Sequence, residues 1–240
     1  MNKLVIVTGA SSGFGKDLSF LLSAKGYKVA ILSRNQAGLD TIDLPNAFKK
    51  AVDVRDRDGL SAAVEEAEKY FYLPVDCIIN NAGIMPLGSM DSQNPQEWDE
   101  VIDINIKGVL NGIHAVYDKM IRRRMGTIIN ISSIAGKKVF DNHAVYCATK
   151  FAVHALSDQL RKEAGAHNIR VITIAPGAAE TNLLNSTSSK DIVSGYESWK
   201  KTMGGALDPQ KVTEAILFCY EMPQEVCIRE LVISAINQGD

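Results

Sequence analysis

The chain lacks the features of a membrane, secreted or metal-binding protein. No apolar run approaches the ~20 residues of a membrane-spanning helix, and the stretch Leu4–Val7 is too short for the core of a signal peptide. The four cysteines form no Cys-x-x-Cys pair and no cluster with histidine; they are Cys77, Cys147, Cys219 and Cys227. We therefore expect a reduced, cytoplasmic protein without disulfides, structural zinc or another bound metal.

An excess of charge is also absent. Lysine and arginine number 26 against 28 acidic residues, so the formal net charge is -2 and no general attraction to nucleic acid or to an anionic membrane is expected. The densest basic cluster, Arg122–Arg124, is interpreted as an exposed helix end, where cations suit the helix dipole. With 240 residues and 46% hydrophobic content, we predict a single domain over residues 1–240.

Strand-like and helix-like segments alternate along the chain. Near-continuous apolar runs of this kind are typical of a parallel sheet covered on both faces. We predict a single-domain, doubly wound (Rossmann) α/β fold with about seven strands and helices on both faces. The predicted strands are Leu4–Thr8, Tyr27–Ser33, Ala47–Val54, Val75–Asn80, Gly126–Ser132, Ile169–Ala175 and Cys227–Ile233. The predicted helices are one after Gly13, then Pro95–Arg123, about His143–Ala166, and Pro209–Met222.

One segment, residues 181–205, breaks this alternation. It is rich in Ser, Thr, Asn and Gly, yet it also contains scattered apolar residues such as Leu183, Leu184, Tyr196, Trp199 and Met203. A surface loop with a small satellite core has this composition, and so does a mobile flap with an apolar underside. We predict a substrate lid, because long loops in compact domains are usually functional.

A glycine-rich turn follows the first predicted strand. Gly9 permits the tight turn, Gly13 lets a pyrophosphate approach the backbone, and Gly15 allows the next helix to pack closely on the strand. The helix N-terminus then offers free N–H groups to phosphate. A lone glycine turn is a weak signal, but the strand before it and the amphipathic helix after it are the right context. The predicted cofactor cradle comprises Gly9, Ser11, Ser12, Gly13, Phe14 and Gly15.

The end of the second strand indicates which dinucleotide binds. An acidic residue there would bind the ribose 2′-hydroxyl of NAD, but this chain has Ser33 and Arg34 instead. No carboxylate at these positions repels a 2′-phosphate, and the Arg34 guanidinium can pair with it. We therefore predict that NADP(H) is the cofactor, with Ser33 and Arg34 beside its 2′-phosphate.

Three further residues suggest proton transfer. The i,i+4 spacing of Tyr146 and Lys150 places them on one helix face, and a nearby ammonium favours the phenolate of a tyrosine. Ser133 follows a buried strand, at the edge where doubly wound sheets bind ligands. A tyrosine and a lysine at this spacing also occur by chance, so the combination with the glycine turn carries the prediction of carbonyl–alcohol redox chemistry.

With these motifs in place, the chain resembles the short-chain dehydrogenase/reductase family nearly from end to end. Besides the glycine turn, the resemblance includes the Asn-Asn-Ala-Gly run at 80–83, the Asp-Ile-Asn-Ile-Lys run at 103–107 and the Tyr-Cys-Ala-Thr-Lys run at 146–150. It implies cofactor contacts by Asp53, Val54, Asn81, Ala82, Gly83, Tyr146, Lys150, Pro176, Gly177 and Thr181.

The resemblance also implies catalytic roles. Tyr146 exchanges a proton with the substrate oxygen, Ser133 hydrogen-bonds that oxygen, Lys150 lowers the pKa of Tyr146 and holds the nicotinamide ribose, and Asn105 positions a water. NADP-preferring members assemble as homodimers or homotetramers through their two long helices, here at about 96–123 and 143–165. A non-catalytic dinucleotide-sensing regulator is the alternative of another class, although such proteins tend to lose the tyrosine or lysine.

The substrate is less defined than the reaction. A 3-oxoacyl thioester, a hydroxy acid and a small ketone all fit the chemistry, and the resemblance is closer to dehydrogenases of 3-hydroxy acids and serine than to 3-oxoacyl reductases. His143 is either a solvent-facing helix residue or a substrate contact. Candidates for the substrate pocket are Ile84, Met85, Ile134, Phe140, His143, Leu183, Leu184, Trp199 and Met203.

Overall fold

The computed structural model describes residues 2–239 and contains a seven-stranded parallel sheet. The strands are β1 (Leu4–Thr8), β2 (Lys28–Ser33), β3 (Phe48–Ala51), β4 (Val75–Asn80), β5 (Gly126–Ile131), β6 (Ile169–Pro176) and β7 (Glu230–Ile233). Their spatial order is β3-β2-β1-β4-β5-β6-β7, so the order in which parallel strands are added to the sheet reverses between β1 and β4. This reversal is the topological switch of a doubly wound sheet, and it places a crevice at the carboxyl ends of the strands. The predicted fold class is confirmed.

Helices cover both faces of the sheet. They are α1 (Gly13–Ala24), α2 (Gln36–Asp40), α3 (Arg57–Phe71), α4 (Pro95–Ile102), α5 (Gly108–Arg123), α6 (Ala144–Gly165), α7 (Lys190–Thr202) and α8 (Pro209–Glu221). A π-helical turn at Asp103–Lys107 joins α4 to α5, so the predicted long helix is nearly continuous. The basic run at 122–124 ends α5, as interpreted from the sequence. Within residues 2–239, no helix has both the length and the apolar character of a membrane span.

Two separate hydrophobic cores follow from the alternation of side chains along the strands. Ile6, Ile78 and Ile128 face one side, where they pack with residues of α3, α5 and α6. The neighbouring residues Ile79 and Ile129 face the other side, where they pack with α1 and α8. The strands β1, β5 and β6 are buried along their whole length, which explains why they are apolar at almost every position.

The edges of the sheet are shorter than the sequence predicts. The strand expected at Ala47–Val54 pairs only over Phe48–Ala51, and the one expected at Cys227–Ile233 pairs only over Glu230–Ile233. Both lie at an edge of the sheet, where a strand has one neighbour and pairing ends when that neighbour turns away. The chain before β2 turns at Gly26, with φ +82°, so this strand begins at Lys28 instead of Tyr27.

Candidate active site

A cavity of about 860 Å³ opens at the carboxyl edge of the sheet. Its wall is built by the turn after β1, the end of β2, the segments after β4, β5 and β6, and the exposed helix α7. Because these segments follow neighbouring strands around the switch between β1 and β4, residues far apart in the chain meet at one site.

The glycine turn is held against the segment after β4. Gly9 has φ +65°, and a Cβ there would lie 2.7 Å from the Cα of Ala82. The hydroxyl of Thr8 accepts hydrogen bonds from the backbone N–H groups of Asn81 at 3.0 Å and Ala82 at 3.1 Å, and the Asn81 side-chain amide donates to the Thr8 carbonyl at 2.9 Å. The close approach therefore requires glycine at position 9.

The start of α1 provides donors for an anion. The N-cap residue Ser12 makes no side-chain bond to the helix, whereas Asn35, Asp56 and Asn94 each accept from a backbone N–H at the start of α2, α3 and α4. The first-turn N–H groups of α1 thus lack the side-chain acceptor that α2, α3 and α4 have. This donor set fits the pyrophosphate of a dinucleotide.

The rim beside β2 holds a pair of charges. The side chain of Arg34 is 50% exposed, and its Nη1 lies 3.9 Å from Oδ2 of Asp53. Asp53 is bound mainly by Arg55, whose Nη2 donates at 2.7 Å and whose Nε donates to both carboxylate oxygens. Burial opposes the ionisation of Asp53, but the hydrogen bonds from Arg55 outweigh it and lower the pKa of Asp53. Arg34 is consequently only loosely engaged and can turn toward a bound phosphate.

Tyr146 and Lys150 lie on the inner face of α6, as their spacing predicts. Both side chains are buried, with the Lys150 Nζ 5.7 Å from the centre of the Tyr146 ring. The ammonium donates to the carbonyl of Ile131, at the end of β5, at 2.9 Å. Burial lowers the pKa of Lys150 from its ordinary 10.5 to about 8, because a desolvated ammonium is disfavoured.

Ser133 follows β5 and contacts both the end of β6 and Tyr146. Its hydroxyl donates to the carbonyl of Pro176 at 3.3 Å and accepts from the N–H of Ala135 at 3.1 Å. Burial raises the pKa of Tyr146, and a hydrogen bond with Ser133 acts in the opposite direction. The lowering of that pKa by Lys150 stays a prediction, since the ammonium donates to Ile131 and not to the phenol.

Asn105 sits in the π-helical turn between α4 and α5. Its Oδ1 accepts from the N–H of Ile84 at 3.0 Å, and its Nδ2 donates to the Ile84 carbonyl at 3.0 Å and to Thr149 Oγ1 at 3.2 Å. The amide thereby fixes the segment after β4 to the helix that carries Lys150. Its role in holding a water is untested and stays a prediction.

A polar network behind Lys150 was not predicted from the sequence. Ser132 Oγ donates to the Lys150 carbonyl at 3.1 Å and lies 2.8 Å from His154 Nδ1. His154 Nε2 lies 3.2 Å from Glu230 Oε1 on β7, which Lys137 also contacts at 2.7 Å. The i,i+4 spacing of Lys150 and His154 was visible in the sequence, but their connection to β7 depends on the register of the sheet.

Most of the predicted site residues meet in the cavity wall, but three of them, and one candidate for the substrate pocket, lie outside it. Gly15 packs behind the turn, where a Cβ would lie 2.5 Å from Asn81 Nδ2. Asp53 and Asn105 also lie outside the wall, although their neighbours Val54 and Ile104 are part of it. Met203 is buried away from the pocket predicted for it. The predicted residues in the wall are Gly9, Ser11, Ser12, Gly13, Phe14, Ser33, Arg34, Val54, Asn81, Ala82, Gly83, Ser133, Tyr146, Lys150, Pro176, Gly177 and Thr181.

Gln238 is a residue of the cavity wall that no sequence pattern predicted. Its Oε1 accepts from the N–H of Ala178 at 3.0 Å, and a Cβ on Gly177 would lie 2.2 Å from this oxygen. The C-terminal segment therefore fixes the backbone after β6, where the resemblance implies a cofactor contact. Asn35, the cap of α2, is a second unpredicted residue of the wall.

Comparison with known proteins identifies the relatives of this architecture. The profile of a family described as short chain dehydrogenase matches residues 3–192. An uncharacterized oxidoreductase of Listeria monocytogenes is 38% identical over 245 residues, covering 99% of this chain and 98% of its own. The closed form of serine dehydrogenase complexed with NADP+ is similar with a TM-score of 0.89 and 30% identity, over 99% and 96% of the two chains. A 3-ketoacyl-(acyl-carrier-protein) reductase of Brucella melitensis complexed with NADH gives a TM-score of 0.86 and 28% identity, over 96% of each chain.

The burial of Lys150 leads to a prediction about stability. The pKa of Lys150 is about 8 in the folded protein and has its ordinary value of 10.5 in the unfolded chain. Between pH 8 and pH 10.5, the unfolded chain therefore binds more protons than the folded protein, and the free energy of unfolding rises with pH. At pH 7 the folded protein therefore carries the full desolvation penalty. We expect Lys150→Met to raise the free energy of unfolding at pH 7 by about 1–3 kcal/mol. At about pH 9.5 we expect a smaller difference between the variant and the wild type.

Urea unfolding of both proteins at the two pH values measures this difference. Lys25→Met, at an exposed position after α1, is the matched control and should change stability little at either pH. A Lys150→Met protein that is less stable at pH 7, or whose advantage does not depend on pH, would contradict the prediction.

Proposed function

Because the chain belongs to the short-chain dehydrogenase family, we propose that it interconverts a carbonyl compound and a secondary alcohol with NADP(H). One observation carries the proposal. Tyr146, Lys150 and Ser133 share a cavity wall with a glycine turn whose first-turn donors fit a pyrophosphate. A proton-transfer group and a dinucleotide cradle in one cavity suit carbonyl–alcohol redox chemistry.

The residues of the chain divide the chemistry between them. A bound nicotinamide dinucleotide supplies or accepts the hydride. Tyr146 donates a proton to the carbonyl oxygen during reduction and takes it back during oxidation, while Ser133 donates a hydrogen bond to the same oxygen. The raised pKa of Tyr146 keeps its phenol protonated at neutral pH, which is the form that donates. The adjacent Lys150 stabilises the phenolate that proton transfer leaves.

Removal of the Tyr146 hydroxyl tests this assignment. We expect Tyr146→Phe to lower turnover by at least about 100-fold, since the proton donor is lost, and to leave the affinity for NADPH nearly unchanged. The measurement is NADPH oxidation over a panel of ketones, aldehydes and keto acids, with the affinity read from cofactor fluorescence. Tyr70→Phe, on the exposed side of α3, is the matched control. Near-normal turnover by the Tyr146 variant would refute the role.

The substrate predictions rest on the resemblance. A 3-hydroxy acid is supported by the similarity to a serine dehydrogenase, and the alternative, a 3-oxoacyl thioester, by the similarity to a 3-ketoacyl reductase. Those activities belong to the neighbours. The choice between these substrate classes for this chain stays a prediction.

The preference for NADP(H) over NAD(H) is proposed from Arg34. The solved neighbours bind either NADP+ or NADH, so the support comes from this chain. Arg34 lies on the cavity rim with half its side chain exposed and one long ion pair. A guanidinium in this position can make a charge-assisted contact to the 2′-phosphate.

Charge reversal at Arg34 tests the cofactor preference. We expect wild-type protein to bind NADPH more tightly than NADH by roughly 10- to 100-fold, and Arg34→Asp to remove or invert this ratio. Titration of both cofactors into both proteins measures it. Arg229→Asp makes the same charge change at an exposed residue outside the cavity wall and should leave the ratio intact. Tighter binding of NADH by the wild type would overturn the proposal.

Residues 181–205 are proposed to act as the lid of this single catalytic domain. The base of the segment is closed by backbone hydrogen bonds from Leu207 to Ala178 at 2.8 Å and from Glu180 to Leu207 at 3.0 Å. Its first part is tied to the segment after β4, where Ser186 and Thr187 accept from backbone N–H groups at 85 and 87. The moving part is therefore α7, and Gly204 and Gly205, both with positive φ, suit its outer hinge.

Limited proteolysis with trypsin tests the lid. Without ligand, we expect early cleavage after Lys190 or Lys201, at the two ends of α7, and suppression of that cleavage by NADPH. Cleavage after Lys69, which lies in α3 outside the cavity wall, should not respond to NADPH. Equal cleavage of α7 with and without the cofactor would show that this helix is fixed structure.

Assembly into a homodimer or homotetramer, through the long helices α5 and α6, stays a prediction that sedimentation velocity can measure. The exposed apolar side chains of Leu110 on α5 and Phe151 on α6 support it. A cytoplasmic location likewise stays a prediction from cysteine usage.

A further inference from the structure

The substrate end of the cavity is part of a third hydrophobic cluster, distinct from the two cores on the two faces of the sheet. The buried members of this cluster include Tyr146, Met85 and Leu184, and partly buried side chains such as Ile192 and Tyr196 pack against them. The reacting hydroxyl of Tyr146 thus emerges from an apolar environment. A substrate that reaches it must leave water for a largely hydrocarbon surface.

Aromatic rings from two elements form one side of this end. The ring centres of Phe140 and His143 lie 5.7 Å apart, those of His143 and Tyr196 lie 6.0 Å apart, and those of Tyr196 and Trp199 lie 5.2 Å apart. The chain of rings runs from the start of α6 to the middle of α7. Offset and edge contacts at these distances are favourable for a further planar ring.

Charges at this end are unfavourable for an anion. Within residues 2–239, the lysine and arginine side chains of the cavity wall are Arg34, Lys150 and Lys200. Arg34 belongs to the cofactor end, and Lys150 donates to Ile131 beside Tyr146. The Nζ of Lys200 is neutralised by two carboxylates at 2.9 Å, those of Glu180 and Glu197.

The other ionisable groups of this end carry negative charge or none. The side chains of Asp141 and Asp191 belong to the wall and are exposed. His143 Nδ1 lies 2.6 Å from the carbonyl of Asp141; a carbonyl can only accept, so Nδ1 carries the proton. Burial lowers the pKa of His143, which leaves a neutral ring whose Nε2 is an acceptor. A substrate carboxylate near Tyr146 would therefore be repelled by two carboxylates of the wall, and the cation beside it, Lys150, is buried and already donates to the carbonyl of Ile131.

We propose that the substrate is an uncharged carbonyl compound with an apolar ring, and that Tyr196 and Trp199 determine this specificity. The inference rests on the proposed function, because it concerns the same cavity and the same proton donor. The ring of the substrate lies against the aromatic side formed by α7, and the carbonyl oxygen points to Tyr146 and Ser133. A free 3-oxo acid is a poor substrate in consequence.

Four related ketones separate the effects of charge and of the ring. They are ethyl benzoylacetate, benzoylacetate, ethyl acetoacetate and acetoacetate, each assayed for kcat/KM with NADPH. We expect each ester to exceed its free acid by at least about tenfold, because the carboxylate is desolvated without a partner. We also expect kcat/KM for ethyl benzoylacetate, a phenyl ketone, to exceed that for ethyl acetoacetate, a methyl ketone, by about tenfold or more. Equal or better turnover of the acids would overturn the inference.

Substitutions in α7 locate the specificity. Trp199→Leu and Tyr196→Leu should each lower the preference for ethyl benzoylacetate over ethyl acetoacetate by about 3- to 10-fold, with NADPH affinity unchanged. Tyr70→Leu, which removes an aromatic ring from α3 outside the cavity wall, should not change this preference. A preference that survives both α7 substitutions would contradict the role of these rings.

A charge substitution tests the repulsion separately. Asp191→Lys should raise kcat/KM for benzoylacetate by about 5-fold or more relative to its ester. Asp43→Lys makes the same charge change at an exposed residue outside the wall and should have no such effect. An unchanged acid-to-ester ratio in Asp191→Lys would contradict the electrostatic argument.

Failure of the inference can be distinguished from failure of the proposed function. If other carbonyl compounds of the panel are reduced in a Tyr146-dependent manner but none of these four is, the inference is wrong and the function stands. If NADPH binds tightly and nothing in the panel is reduced, both are refuted.

Discussion

The active site is organised around one costly interaction, the burial of the Lys150 ammonium beneath the carboxyl end of β5. The carbonyl of Ile131 accepts a hydrogen bond from this ammonium, and little of the Lys150 side chain is exposed. Desolvation of a cation is among the most unfavourable events in a protein interior, so the elements that surround Lys150 must be held firmly by other contacts. Ser132, His154 and Asn105 provide such contacts between α6, the sheet and the segment after β4.

This constraint explains why two sides of the cavity differ. The side at the ends of the strands, the floor, is rigid, and the side formed by α7, the roof, has fewer buried residues. The floor contains the buried strands and the bonds from the Thr8 hydroxyl to the backbone at 81 and 82. Gly9 and Ala82 approach so closely that neither the phosphate turn nor the segment after β4 can shift alone. The roof is α7, of which Lys200 is the only residue classed as buried in the part of the chain described here. The buried strands thus hold the residues around Tyr146, while α7 contributes side chains to the same cavity wall through few buried positions.

The parts of the site that the sequence predicted depend on local geometry. A turn that requires positive φ needs glycine, and an i,i+4 pair shares a helix face, so Gly9, Tyr146 and Lys150 could be placed from their neighbours alone. The helix α3 was not predicted, because its buried positions include small residues such as Ala63 and Ala67 that give a weak apolar pattern. The helix α7 is mostly polar, since only its underside meets the cavity.

Contacts set by the tertiary structure were beyond prediction. Gln238 bonds to Ala178 across 60 residues, and no local pattern signals that meeting. Asn105 was identified by its motif, but its two bonds to Ile84 depend on the π-helical turn. The neutral ring of His143 likewise follows from burial, which lowers its pKa and outweighs the opposite effect of the Asp141 carbonyl. Its position before Tyr146 reveals neither contribution.

The closed base of the α7 segment has a consequence for how such a protein diversifies. Hydrogen bonds between Leu207 and the backbone at 178 and 180 bring the ends of the segment together, so the sheet does not depend on what lies between them. Replacements within α7 leave the sheet and the glycine turn in place, whereas Thr181, Ser186 and Thr187, which precede α7, are part of the cavity wall or contact the segment after β4. Exchange of α7 between relatives would therefore alter the side chains that this helix contributes to the cavity wall, while Ser133, Tyr146 and Lys150 stay with the recipient.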